Sequence, residues 1–129
     1  MKYYFDYNKD DADWPVKHCL NKMLNSFSFP HKVKDLVTGE CGGEIDWHIL
    51  KWSKDVGSDF QVEKYDGFMA YLGHEEHGLS DGEIFCIIPK SKLVSYLKEA
   101  CDFYGKYQDT TPSDIESLKE SIREIGSKA

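Results

Sequence analysis

Residues Gly73 to Gly78 read Gly-His-Glu-Glu-His-Gly, a dense grouping of ionisable and metal-ligating side chains. Imidazoles ligate metals or relay protons, and carboxylates do both. Zinc-peptidase helices place two histidines four residues apart, so that both project from one face. His74 and His77 are three apart and bracketed by glycines, which disfavours a helix here. A loop site needs a third ligand, and neither Asp81 nor Cys86 stands at a ligand spacing. A histidine acid–base pair acting on a phosphodiester needs a cation to hold the phosphate, and Lys64 is the single base nearby. The stretch reads best as an exposed acidic loop, with no catalytic residue, metal or cofactor expected. A small metal-dependent hydrolase using His74 and His77 is the alternative reading, and a generic protein-interaction adaptor is another.

The other reactive side chains are more isolated. His18 and Cys19 are adjacent, but neighbours on a helix point about 100° apart, so they do not form a couple. Cys19 falls on an apolar stripe, His48 alternates with Trp47 on a strand, and His31 is placed in a turn beside Pro30. No nucleophile elbow, P-loop or dinucleotide-binding glycine pattern occurs. The cysteines Cys19, Cys41, Cys86 and Cys101 form no C-x-x-C pair, so reduced thiols and a cytoplasmic setting are expected. The opening residues lack the apolar run of a signal peptide, and no stretch approaches the length of a membrane span.

Charge is distributed unevenly. The 129-residue chain has a net charge of -7. Between residues 55 and 83, Asp55, Asp59, Glu63, Asp66, Glu75, Glu76, Asp81 and Glu83 face one base, Lys64, while the rest of the chain is balanced. Such a segment repels nucleic acid and steers a basic protein partner. Trp47, Trp52, Tyr65, Phe68 and Tyr71 lie within or beside it. Most of these belong to a core, with one or two, Tyr71 among them, available as interface anchors.

The elements that must carry this segment follow from local pattern. Asp13 and Pro15 open a helix whose stripe is Val16, Cys19, Leu20, Met23, Leu24 and Phe27. Val33, Leu36 and Val37 form a shorter helix stopped at Gly39. Tyr3, Phe5 and Tyr7 suit a strand or extended arm, and residues 44–49, 60–62 and 68–72 read as strands. Glu83 to Pro89 is a continuous apolar run that predicts a strand buried on both faces, paired with 67–72 as a hairpin. Ser91 is placed as the cap of a helix through Leu93, Leu97, Ala100, Cys101 and Tyr104. Thr111-Pro112-Ser113-Asp114 opens a last helix with the stripe Ile115, Leu118, Ile122 and Ile125, ended at Gly126. The expectation is one α+β domain over residues 1–129, a mainly antiparallel β-sheet packed by N-terminal and C-terminal helices.

The C-terminal half adds a resemblance. The strand at Gly67-Phe68, the acidic loop, the run Glu83 to Pro89, the stretch Tyr96 to Tyr104 (Tyr-Leu-Lys-Glu-Ala-Cys-Asp-Phe-Tyr) and the closing amphipathic helix carry it. Together they resemble immunity proteins of bacterial contact-dependent growth inhibition systems, in the group paired with ribonuclease toxins. The likeness spans about residues 66–125 and consists of packing patterns. It implies a cytoplasmic binder, one copy to one toxin, that neutralises its cognate basic nuclease toxin domain by covering the active-site cleft. Combined with the charge pattern, the expected contact residues are Glu75, Glu76, Asp81 and Glu83, then Asp66, Asp59 and Glu63, supported by His74, His77 and Tyr71.

Overall fold

Asp13 and Pro15 start the first helix, α1 (Trp14–Leu24), with the proline in the opening turn. Asp13 occupies the capping position, but its carboxylate makes no capping hydrogen bond. It turns instead to the last third of the chain, accepting a short hydrogen bond from the Tyr96 hydroxyl and pairing with Lys92 at 3.1 Å. The computed structural model describes residues 5–6, 11–25, 29–38, 42–44, 46–73, 82–107 and 111–127. Tyr3, Tyr7, Phe27, Gly39 and Ile45 therefore lie outside the described residues.

Helix α2 (Phe29–Thr38) begins one residue before Pro30, so Pro30 and His31 sit in its first turn rather than in a turn between elements. A proline there forfeits no intrahelical hydrogen bond. His31 faces solvent and lies 3.7 Å from Asp35, one turn on. Strands β1 (Gly42–Glu44), β2 (Trp47–Lys51), β3 (Phe68–Leu72) and β4 (Ile84–Ile88) form an antiparallel meander in the order β1-β2-β3-β4. The expected hairpin is present, with Phe68 opposite Ile88 and Leu72 opposite Ile84.

Residues 60–62 are not a strand. Ser53 caps helix α3 (Lys54–Phe60) by accepting a hydrogen bond from the Val56 N–H at 3.2 Å, and Asp55 sits in the first turn. Gln61 ends it in a left-handed conformation. The two alternating apolar residues Phe60 and Val62 are too few to specify strand pairing, and the serine cap prevails.

Helix α4 (Lys90–Tyr107) starts earlier than Ser91 predicts. The Pro89 carbonyl accepts from the N–H groups of both Lys92 and Leu93, so Ser91 lies inside the first turn. Helix α5 (Pro112–Ser127) is capped as expected. Thr111 Oγ1 accepts from the Asp114 N–H at 3.1 Å, and Asp114 reaches back toward the Thr111 N–H at 3.4 Å. The helix passes through Gly126 and closes one residue later.

The architecture is α+β: α1 lies across β2, β3 and β4, α2 packs beside β1 and β2, and α5 packs on α2 and α4. One cluster of buried side chains joins them, including Val16, Leu20, Phe29, Ile49, Leu72, Leu93, Leu97 and Ile122. Asn21, buried on α1, holds residue 5 with two hydrogen bonds, one to the Phe5 N–H and one to its carbonyl, both 2.9 Å. Phe5 then meets Tyr96 edge-on, their centroids 5.6 Å apart.

The Asp13 contact makes stability depend on acid. Burial raises the carboxyl's pKa, but hydrogen bonds from Tyr96 and Lys92 outweigh it and leave the pKa below 3.8. A lowered folded-state pKa means the contact stabilises fully above the unfolded value and is lost as pH falls through the folded one. Asp13→Asn is expected to cost about 1–3 kcal/mol at neutral pH. It is also expected to flatten the decline in unfolding free energy below pH ~3.8. Urea unfolding of both proteins across that range measures it, and parallel pH profiles contradict it.

Candidate functional site

The two faces of the sheet differ. In β2 and β3, alternate residues point to opposite sides. Trp47, Ile49, Phe68, Ala70 and Leu72 face the α1 side and are buried. His48, Leu50, Met69 and Tyr71 face the other way, and the first three are also buried, with Phe60 of α3 against His48 and Tyr65 bonded to Leu50. Phe60, the last residue of α3, lies 5.7 Å from the His48 ring and 5.2 Å from the Tyr71 ring. Tyr65 donates a hydrogen bond to the Leu50 carbonyl at 3.0 Å.

That cover stops short of β4. The strand is not buried on both faces as its apolar run suggests. Its residues alternate, with Phe85 39% exposed and Ile87 51% exposed. The physical reason is position: β4 is the last strand of the sheet among the described residues, and the seven-residue α3 brings Phe60 to 6.1 Å from Phe85. His48, Phe60, Tyr71 and Phe85 thus form a graded aromatic cluster. His48 stacks on Tyr71 at 4.7 Å, Tyr71 meets Phe85 at 5.4 Å, and exposure rises toward β4.

Acidic side chains border this cluster. Glu83 is exposed and accepts a 2.5 Å hydrogen bond from the Tyr71 hydroxyl. That bond, burial and the charges of Glu83 and Asp46 push the Tyr71 pKa up to about 12, so the phenol remains a neutral donor at physiological pH. Asp59 is exposed on α3 beside Phe60, and Glu63 is exposed just beyond it. Asp66 is set apart from Glu83. It lies at the opposite end of the sheet, near Lys51, Lys64 and Lys90. Of the remaining expected contact residues, His74, Glu75, Glu76, His77 and Asp81 lie outside the described residues. Phe60, Phe85 and Ile87 were missed by sequence reasoning. Period-two alternation within Glu83 to Pro89 was masked because every residue from Ile84 to Ile88 is apolar.

The other reactive groups are occupied structurally. Burial and the Asp13 carboxylate raise the Tyr96 pKa, so it is no base at neutral pH. Cys86 is half-buried with its Sγ 3.5 Å from the Ala12 carbonyl, and burial followed by the Asp13 charge pushes its thiol pKa up, away from thiolate nucleophilicity. Cys19 and Cys101 are buried, and the Cys19 Sγ lies 3.8 Å from the His48 carbonyl oxygen. His18 lies edge-on to Trp14, centroids 6.4 Å apart. Among the described residues, no group of three or more His, Cys, Asp or Glu could hold a metal ion, and no helix is long and apolar enough to cross a membrane. Comparison with family models, curated proteins and solved structures finds no match.

Proposed function

We propose that this chain is a non-enzymatic, cytoplasmic immunity protein that binds and neutralises the nuclease toxin domain of a contact-dependent growth inhibition system. The observation that carries this reading is the exposed pair Phe85 and Ile87 on β4, with the Glu83 carboxylate held by Tyr71 beside Phe85. Apolar anchors inside a charged rim are the usual anatomy of a protein-binding surface. The acidic surround selects the partner. A nuclease that grips RNA phosphates is cationic around its cleft, and carboxylates fit the same cations. The anchors hold the complex while the acids steer its formation and compete with substrate.

The test is co-expression with the product of the adjacent open reading frame, followed by co-purification and a nuclease assay. Reversing charge at Asp59, Glu75 and Glu76 to lysine is expected to slow association about tenfold or more at low salt. It should also flatten the salt dependence and restore nuclease activity at limiting immunity protein. Unchanged affinity and salt slope would remove the acidic segment from the interface.

A further inference from the structure

A second surface lies at the other end of the sheet. Where β2 ends, β3 begins and β4 runs into α4, a groove of about 840 Å³ opens. Among the described residues, its apolar lining includes Trp52, Phe68 and Ile87, and three lysines, Lys51, Lys64 and Lys90, share it with one acid, Asp66. The charge balance of the groove is opposite to that of the chain, whose net charge is -7. Lys64 is the single base of residues 55–83, and its ammonium sits over the Trp52 ring, 5.8 Å from the centroid. The cation is therefore held beside the apolar lining, in cation–π range.

We propose that this groove binds an amphipathic organic anion of small-molecule size, a flat apolar body carrying a single carboxylate, sulfonate or phosphate. The volume falls within the range of about 300–1,000 Å³ typical of small-ligand sites. Apolar walls take the body of the ligand, and the lysines take its head. A neutral hydrophobe gains no attraction from the lysines, and a polyanion meets repulsion from the acidic chain around the groove. The groove is separate from the Glu83 end of the docking face. The groove and that face share Ile87, which stands four positions along the strand from Glu83, a span of about 13 Å. The inference does not depend on the identity of the protein partner.

Anilinonaphthalene sulfonate is the direct probe, because it is an aromatic body with one anionic head and reports apolar binding by fluorescence. N-phenylnaphthylamine supplies the same ring system without the sulfonate. The expected result is saturable one-to-one binding of the sulfonate with energy transfer from tryptophan. Lys64→Gln combined with Lys90→Gln should weaken it about tenfold or more, as removing charged hydrogen-bond partners does. The neutral analogue should be little affected by that pair of changes, and Phe85→Asp should leave sulfonate binding intact. Urea midpoints for each variant establish that the folded protein is what binds. Non-saturable binding, equal affinity for both probes, or loss in Phe85→Asp instead of the lysine variant would overturn the proposal.

Discussion

Replacing Gly67 by alanine is expected to destabilise the protein by about 3 kcal/mol or more, well above the effect of the same change at Gly82. Both glycines have left-handed backbones, with φ of 85° and 79°. An L-residue pays about 1–2 kcal/mol for that conformation at either position. The surroundings differ. A Cβ on Gly67 would stand 2.3 Å from the Ile88 carbonyl oxygen and 3.1 Å from the Pro89 Cα, whereas a Cβ on Gly82 would meet nothing within 4 Å. The Gly67 clash is with backbone, so no rotamer relieves it. Relief requires β3 to shift against β4, where Phe68 faces Ile88 in the first pair of the ladder. Gly82→Ala should therefore cost about 1–2 kcal/mol, the conformational part alone. Urea unfolding of the two variants side by side measures the difference, and equal midpoints would show that the close approach at Gly67 carries no energy.

Phe85→Asp together with Ile87→Asp is expected to abolish partner binding while sparing the fold. The two side chains are already substantially exposed, and Phe85 meets Phe60 edge-on and Tyr71 at a tilt. Stability should change by about 1 kcal/mol or less, as at surface positions outside the core. Affinity for the proposed toxin partner should fall about 100-fold or more, since interface anchors commonly contribute about 2 kcal/mol or more each when truncated. The choice of aspartate separates two effects. Added negative charge favours a basic partner, so a loss of affinity must come from the lost apolar contact. Calorimetric titration with the purified product of the adjacent open reading frame, the partner proposed above, reads affinity, and the unfolding midpoint reads stability. An affinity that is unchanged or raised would mean that charge alone makes the complex and that β4 lies outside it.

The course of the chain shows where pattern suffices. Helix α1 carries its own start signal in Asp13 and Pro15, and α5 carries a complete one in Thr111, Pro112 and Asp114. The β3–β4 hairpin is legible because two apolar runs of equal length flank a polar, glycine-rich connection. Helix α3 was not legible from apolar spacing, because it has no buried residue of its own. Its signal was the Ser53 cap, which hydrophobic periodicity does not register. Asp13 illustrates a different limit. Its residue type marks the helix start correctly, yet its carboxylate serves Tyr96 and Lys92, whose separation in sequence hides the contact.

Composition and local pattern alone establish an antiparallel sheet with packed helices, a strongly acidic middle segment and the absence of a recognisable catalytic motif. These properties depend on residues near one another in the chain, where propensity, capping and charge act directly. Which apolar residues are left uncovered is another matter. Ile84 to Ile88 are all apolar, and nothing within the run distinguishes Phe85 and Ile87 from their neighbours. Their exposure follows from the strand order, which puts β4 last in the sheet among the described residues, and from the short reach of α3, which stops at Phe60. Burial is a property of what packs on top, and for β4 that depends on residues distant in the chain.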